Sequence, residues 1–350
     1  MATPVAPPDH PRRTQRAGGL VKEAPVVETA ASEDGAPCPA CGDPGFRVLF
    51  RATDRLYHTT TKEFRIVECK GCRLIRLDPC PSVKELPGYY PKNYWFAPAE
   101  DAASRMEERW RRFALRDHVN FVERAIRDSG EKGLVLDVGC GGGLFLNLVR
   151  EATGLPVLGL DYSLDAARVA STSNSVPAFC GTLCQVPLPP ESCAAVTMFH
   201  ILEHLHDPEP YVQQAHKLLK PDGRLVVQVP NAGCWQFLLL GEKWNGIDVP
   251  RHLIDFREDD LVNLLDHCGF EVLRVKHFSL RDNPAGLASS LAPSLDPMAR
   301  RVRKVSETPR QRMFRDLLYF GLLCLACPFT MVEAACRAGS TLMVEARIRK

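Results

Sequence analysis

The chain has 350 residues, 45% of them hydrophobic and 25% charged, with a formal net charge of +2. That balance suits a soluble globular protein with one sizeable core and a small module, and gives no support to a nucleic-acid binder working through bulk charge. The fourteen cysteines would suggest a disulfide scaffold in a small secreted domain. Here most stand singly in apolar segments and no N-terminal signal segment is visible. The expectation is a reduced, cytoplasmic protein.

Residues 1–36 are rich in Pro, Ala and charge without apolar periodicity, which predicts a disordered tail. Residues 37–80 carry two C-x-x-C pairs, Cys38 with Cys41 and Cys69 with Cys72, separated by 27 residues and flanked by Gly and Pro. Paired knuckles at this spacing predict a zinc ribbon with four thiolate ligands, a closed and therefore structural site. A redox site would need only one pair, and Cys80 reads as a spare thiol.

Residues 81–130 read as a linker and helical lid. The stretch GYYPKNYWFAP suggests a loop, whose Tyr89, Tyr90, Tyr94 and Trp95 could cover a ligand or pack the module. Trp110, Phe113, Leu115, Val119, Phe121, Val122 and Ile126 then recur near helical spacing. From 131 to 280, apolar strands alternate with amphipathic helices. This predicts an α/β domain with a doubly wound, mostly parallel, Rossmann-like sheet. Residues 281–316 read as irregular and basic, 317–332 as a strongly apolar run, and STLMVEARI as a last strand.

The first strand of that domain runs into VLDVGCGGGLFL, placing Asp137, Gly139, Gly141 and Gly143 at alternate positions. Glycines allow a close backbone approach to a ligand at a helix N-terminus. The dinucleotide fingerprint G-x-G-x-x-G fails here, because Leu144 or Leu146 falls at its third glycine. Asp161 ends the second strand, where a carboxylate can accept both hydroxyls of an adenosine ribose.

Together with HILEHLHDP and HKLLKPDGRLVVQVPN, these segments resemble class I S-adenosylmethionine-dependent methyltransferases over roughly residues 131–280, with 340–348 as an antiparallel closing strand. The resemblance implies S-adenosylmethionine as cofactor and a seven-stranded sheet. It implies that Asp137, Gly139, Gly141 and Gly143 hold the methionine end, Asp161 the ribose, and Gly181, Thr182 and Leu183 the adenine, with His200 beside the cofactor. Thr182 and Ala194 depart from the acids that many relatives carry.

Methyl transfer to a hydroxyl or carbon acid also needs a proton acceptor. His200, Glu203 and His204 spell H-x-x-E-H, but the strand before and His206-Asp207-Pro208 after exclude the long helix of a zinc protease. Glu203 and His204 remain catalytic candidates, and a divalent metal at His200, Glu203 and His204 stays open. The segment W-N-G-I-D-V-P-R-H-L resembles that of bacterial methyltransferases, including sugar C-methyltransferases with a zinc-binding front module. That resemblance makes His252 the first candidate for the base; the bland alternative is a helix cap.

The expected activity is methylation of oxygen or carbon on a small-molecule acceptor, a sugar or lipid-linked intermediate among the candidates. The alternatives are an RNA-base methyltransferase and a non-catalytic methyltransferase-fold binding module. No nucleic-acid partner is expected. A homodimer and peripheral membrane contact through 300–332 remain open, since seven basic residues precede the apolar run LLYFGLLCLACPFTMV. At 16 residues that run reads as too short to span a bilayer, and burial against the sheet or a dimer partner is slightly favoured.

Overall fold

A computed structural model describes residues 36–91 and 102–350, with side chains from 109 in the helix that opens the second stretch. All but the last residue of the tail predicted at 1–36, and the aromatic residues Tyr94 and Trp95, lie outside the described residues.

The ribbon begins with the Cys38–Cys41 knuckle, where Gly42 takes a left-handed φ of 74°. Strands β1 (Phe46–Ala52), β2 (Phe64–Cys69) and β3 (Ile75–Asp78) follow as an antiparallel meander. Long helix α1 (Ala102–Ser129) leads into the large domain. Its alternation is β4 (Leu134–Val138), α2 (Leu144–Thr153), β5 (Val157–Asp161), α3 (Leu164–Ser173), β6 (Ala178–Cys180), β7 (Cys193–Phe199), α4 (Glu209–Leu218), β8 (Leu219–Pro230) and α5 (Trp235–Leu240). Next come β9 (Ile254–Asp255), α6 (Glu258–His267), β10 (Phe270–Lys276), α7 (Asn283–Leu291), α8 (Pro297–Val302), α9 (Pro309–Ala335) and β11 (Thr341–Ile348).

Seven strands form one sheet in the order β10-β11-β8-β7-β4-β5-β6. The pairs from β8 to β6 are parallel, and β11 inserts antiparallel between β8 and β10. The chain winds outward from β4 in both directions, so a crevice opens at the carboxyl ends of β4 and β7, where such sheets bind ligands. Short β9 leaves this sheet and pairs with β3, extending the ribbon to four strands. Ribbon and large domain therefore share a hydrophobic core, in which Ile66 and Leu77 join Leu253 and Phe256.

Three expectations change. The helix read as a lid is partly core: Val119, Val122, Ala125 and Ile126 of α1 pack on α2, while Trp110, Arg111, Ala114 and Leu115 line the ligand crevice. Residues 281–316 are not irregular, because Asp296 and Thr308 cap helices there through side-chain oxygens. The apolar run is not limited to 16 residues: Pro309 and the polar turn after it are helical too. The resulting 27-residue α9 is long and apolar enough to cross a bilayer by length and composition. It is also not a core helix, since most of its apolar side chains face outward.

Candidate active site

A cavity of about 1690 Å³ fills the crevice. Ligand pockets for one small molecule usually enclose roughly 300–1,000 Å³, so this one has room for a cofactor and an acceptor together. Its inner wall is the glycine loop. Gly139, Gly141 and Gly143 have φ of 77°, 51° and 77°, a left-handed region that side-chain-bearing residues avoid. A Cβ on Gly139 would also fall 2.1 Å from Ile201 Cδ1. The glycine therefore lets the β7 loop close down on the β4 loop.

Asp161 is buried at the end of β5. Its Oδ2 accepts the Gly141 N–H at 2.9 Å and its Oδ1 the Ser163 N–H at 2.8 Å. Asp137 is buried beside it and accepts the Thr197 hydroxyl at 2.5 Å. Burial raises the Asp137 carboxyl to about 7, with Asp161 adding repulsion, and burial raises Asp161 as well. No basic side chain among the described residues offsets either one. Two such carboxylates beside a glycine cradle suit a ligand that brings a positive charge and ribose hydroxyls, which is what S-adenosylmethionine carries. Gly181, Thr182 and Leu183 line the same cavity, Leu183 from a fully buried position.

The floor comes from the β7 loop and the loop before β9. His200 follows directly on β7 with φ of 55°, a strained backbone of the kind that gathers at functional sites. Its Nδ1 lies 3.2 Å from Glu203 Oε1 and its Nε2 2.7 Å from Gln228 Nε2, whose amide donates to Asp282 at 2.7 Å. Burial alone would lower this imidazole, but Asp282 and Glu203 raise it to about 9. The two carboxylates thus favour the charged form of His200, which compensates Glu203.

The two loops are stitched together by the Leu253 N–H, which donates to the Glu203 carbonyl at 2.7 Å. His204 uses Nδ1–H to reach the Arg251 carbonyl at 3.0 Å, with the Tyr90 hydroxyl 2.9 Å away. His252 uses Nδ1–H to reach the Gly246 carbonyl at 2.7 Å. Each ring is thus fixed with Nε2 as its remaining lone pair. The rings meet edge to face at 4.6 Å, and one ligand atom each from Glu203, His204 and His252 lies within 4.8 Å of the others. Burial, then the neighbouring His204, lowers His252 to about 4, so it is neutral. Glu203 keeps a buried Oε2 with no hydrogen-bond partner. The helix-cap alternative for His252 fails, because Arg257 occupies that position on α6.

The geometry thus regroups the candidate metal ligands: His252 joins Glu203 and His204, while His200 turns toward Asp282. Sequence reasoning misses Asp282 because it lies past the end of the recognisable domain, on the loop after β10. It also misses Asp255: buried beside Glu203, its two oxygens lack hydrogen-bond partners and burial raises it well above an ordinary carboxyl. A polar residue inside an apolar strand segment is the one signal available.

The four ribbon cysteines gather at one point. Cys38 and Cys72 bring their sulfurs to 3.5 Å, as do Cys41 and Cys69, and all four lie within 4.8 Å of one another. Tetrahedral ligation at about 2.3 Å per thiolate puts sulfurs at nearly this separation. Each close pair takes one cysteine from each knuckle, and none of the four is in a disulfide. This four-cysteine cluster fits a structural zinc.

A methyltransferase-domain family model matches residues 103–275. The chain is 32% identical over 195 residues to a ubiquinone biosynthesis O-methyltransferase of Proteus mirabilis, across 51% of this chain and 76% of that protein. The chain belongs to the class I S-adenosylmethionine-dependent methyltransferases. A protein of Mycolicibacterium smegmatis described as a probable S-adenosylmethionine-dependent methyltransferase is 30% identical over 200 residues, 55% of this chain and 66% of that protein. Among solved structures, a methyltransferase from Archaeoglobus fulgidus is 18% identical, with a TM-score of 0.44 over 71% of this chain and 100% of the other. As a member of that family, this methyltransferase takes S-adenosylmethionine as its cofactor and transfers the methyl group to an acceptor.

Proposed function

We propose that this methyltransferase methylates oxygen on a small molecule that carries a negative charge, and that His252 accepts the acceptor's proton. The observation that carries the reading is the neutral His252 Nε2, held beside His204 and Glu203 at the floor of the cavity that the glycine loop lines.

Bound S-adenosylmethionine supplies an electrophilic methyl on sulfur. In this reading Asp161 holds the ribose and Asp137 the cationic methionine end, while the glycine loop admits the backbone to contact distance. Gly181, Thr182 and Leu183 flank the adenine. The chain's remaining task is to align a nucleophile and take its proton. His252 is oriented for this by the Gly246 carbonyl, and the nearby Asp248 and Glu203 carboxylates favour the charge it gains. Tyr90, Trp110, Arg281, Arg301, Lys304 and Arg312 line the cavity, together with Asp282, Asp296, Glu307 and Asp316. The cations in this mixed lining offer partners for an anionic group on the acceptor. The name of the Proteus mirabilis relative supports oxygen as the methylated atom; a sugar or lipid-linked alcohol has the right chemistry for the rest.

The test adds pure protein and methyl-labelled cofactor to fractionated small metabolites and follows transfer of label. Label in an anionic hydroxyl compound, stable to base and recovered as a methyl ether, supports the reading. Label on carbon, on nitrogen or in RNA overturns it.

A further inference from the structure

Helix α9 is held to the protein along one stripe. The Tyr319 hydroxyl meets Ser289 at 2.9 Å, and Gln236 donates to Glu333 at 2.7 Å. Ala326 and Thr330 complete this buried line between them. The rest of the helix faces outward with Met313, Phe314, Leu317, Leu318, Phe320 and Leu325, the last of these 78% exposed. Only 22% of the most apolar stretch is buried. A soluble surface helix normally carries charge on such a face, yet residues 317–332 carry none.

The apolar face extends beyond the helix. Trp110 of α1 packs edge-on against Phe320 at 6.0 Å, and Trp235 of α5 packs against Phe329 at 6.3 Å. The next turn of α5 exposes Leu238 and Leu239 by 74% and 73%. One exposed apolar band therefore runs from α1 across α9 to α5, with a tryptophan at each side. Tryptophan is the side chain that sits best at a bilayer boundary.

At the start of α9 the charge is one-sided. Residues 300–316 hold seven basic and two acidic residues, and Arg301, Lys304, Arg310 and Arg312 are exposed there. Glu307 pairs with Arg300 and Arg315, and Asp316 with Arg300 and Arg312, so the two acids leave this end with an excess of positive charge. The cavity reaches the same place, since Arg301, Lys304 and Arg312 line it.

We propose that this band is a docking surface for the face of an anionic lipid bilayer, with α9 lying flat in the interface. Crossing is excluded while the helix stays docked, because its buried line from Tyr319 to Glu333 holds the apolar part to the protein and β11 returns directly into the central sheet. Apolar side chains then enter the acyl boundary, while the arginines and Lys304 meet lipid phosphates. A second copy of the chain would bring the same positive charge to the band; an anionic membrane brings the complement. The docked pose turns the basic end of the cavity to the lipid surface, so an acceptor with an apolar tail can enter without crossing water. Docking itself does not depend on turnover or on the acceptor proposed above.

Flotation of the full chain with vesicles of phosphatidylcholine, alone or mixed with phosphatidylglycerol, tests this. The protein floats with the mixed vesicles at low salt, and binding falls at least roughly tenfold at high salt. Leu317→Glu with Leu325→Glu, and separately Arg310→Glu, weaken flotation while melting temperature and cofactor binding hold, since these positions are exposed and outside the cavity. Failure of the wild type to float at low salt overturns the proposal. So does equal flotation with neutral lipid, or an apolar band found by sedimentation to be buried between two copies that do not bind vesicles.

Discussion

The Arg251 guanidinium is fully buried against the Asp54 carboxylate, with its nitrogens at 2.9 and 3.1 Å from the two oxygens. Asp54 belongs to the ribbon and Arg251 to the loop that carries His252, so this buried ion pair helps tie the zinc module to the floor of the active site. Asp248 adds a second carboxylate at 2.7 Å, and the Tyr57 ring lies under the guanidinium at 4.6 Å. Arg251 also donates to the Tyr89 carbonyl at 3.0 Å, fixing the segment that presents Tyr90 to His204.

Removing one partner of such a pair strands a buried charge, a change that usually costs about 3–5 kcal/mol. Asp248 still pairs with Arg251 in Asp54→Ala, so the variant is expected to lose stability toward the low end of that range, read by urea unfolding at neutral pH, and to reduce turnover through a loosened His252. Burial pushes the Asp54 carboxyl up, but Arg251 more than offsets this and holds it below its ordinary value. The pair's contribution is then complete above the ordinary aspartate range and lost as pH falls through the depressed value. Wild-type stability falls with acid in that window, and the Asp54→Ala curve is flatter there.

Zinc removal has a reach that the paired C-x-x-C motif alone does not predict. Because β3 pairs with β9, the ribbon's last strand begins two positions after His252. One zinc per chain is expected by elemental analysis. Stripping it with a strong chelator, or Cys41→Ser, lowers the melting temperature and also the turnover. An independent module would lose zinc without affecting catalysis, so unchanged turnover in zinc-free protein contradicts this coupling.

The parts of the fold governed by local pattern are legible in the sequence. The strand, glycine turn and helix around Asp137 and Gly139 are contiguous, and so are the two knuckles. What stays hidden depends on long-range pairing. The spacing of Glu203 and His204 cannot show that Leu253 bonds back to Glu203, which brings His252 in and leaves His200 to Asp282. Nor can Arg251 be matched to Asp54 across 197 positions. The apolar run at 317–332 reads as helix-forming, but hydrophobicity alone does not say which side a helix presents. Only the packing of Tyr319, Ala326, Thr330 and Glu333 reveals that most apolar side chains on the other side stay exposed.

Cofactor affinity should depend on pH through Asp137. Burial raises this carboxyl to about 7, so much of it is protonated at slightly acid pH. A cationic methionine end favours the ionised form. Binding of S-adenosylmethionine is therefore expected to strengthen from about pH 6 to 8 and to release a proton near pH 6–7, measured by calorimetry in buffers of different ionisation enthalpy. Asp137→Asn flattens that dependence and weakens binding, since hydrogen bonds to a charged group contribute about 1.5–3 kcal/mol. The sign also runs through stability. The unliganded protein holds a proton that the unfolded chain has lost between the ordinary aspartate range and about pH 7, so its stability falls as pH rises through that window. An affinity independent of pH removes Asp137 from the cationic end of the ligand.

The assignment of His252 as proton acceptor rests on orientation more than on basicity. Its Nδ1–H is committed to Gly246, which leaves Nε2 as the basic nitrogen; its ring packs edge to face on His204, and burial keeps it neutral at working pH. Loss of a positioned base usually costs about 10²–10⁴ in rate. His252→Ala is expected to fall within that range, with cofactor affinity within a few-fold of wild type, because the glycine loop and Asp161 are untouched. His252→Asn offers an amide N–H near Gly246 but no basic nitrogen, so it separates the two roles. If the asparagine variant melts like wild type and is as slow as the alanine variant, the imidazole acts in proton transfer. If the asparagine variant restores turnover, His252 only braces its loop, and the base is His204 or Glu203. Should a chelator that spares the ribbon abolish turnover, with a divalent ion restoring it, then Glu203, His204 and His252 hold an ion together, and the rate loss in His252→Ala reports a lost ligand instead.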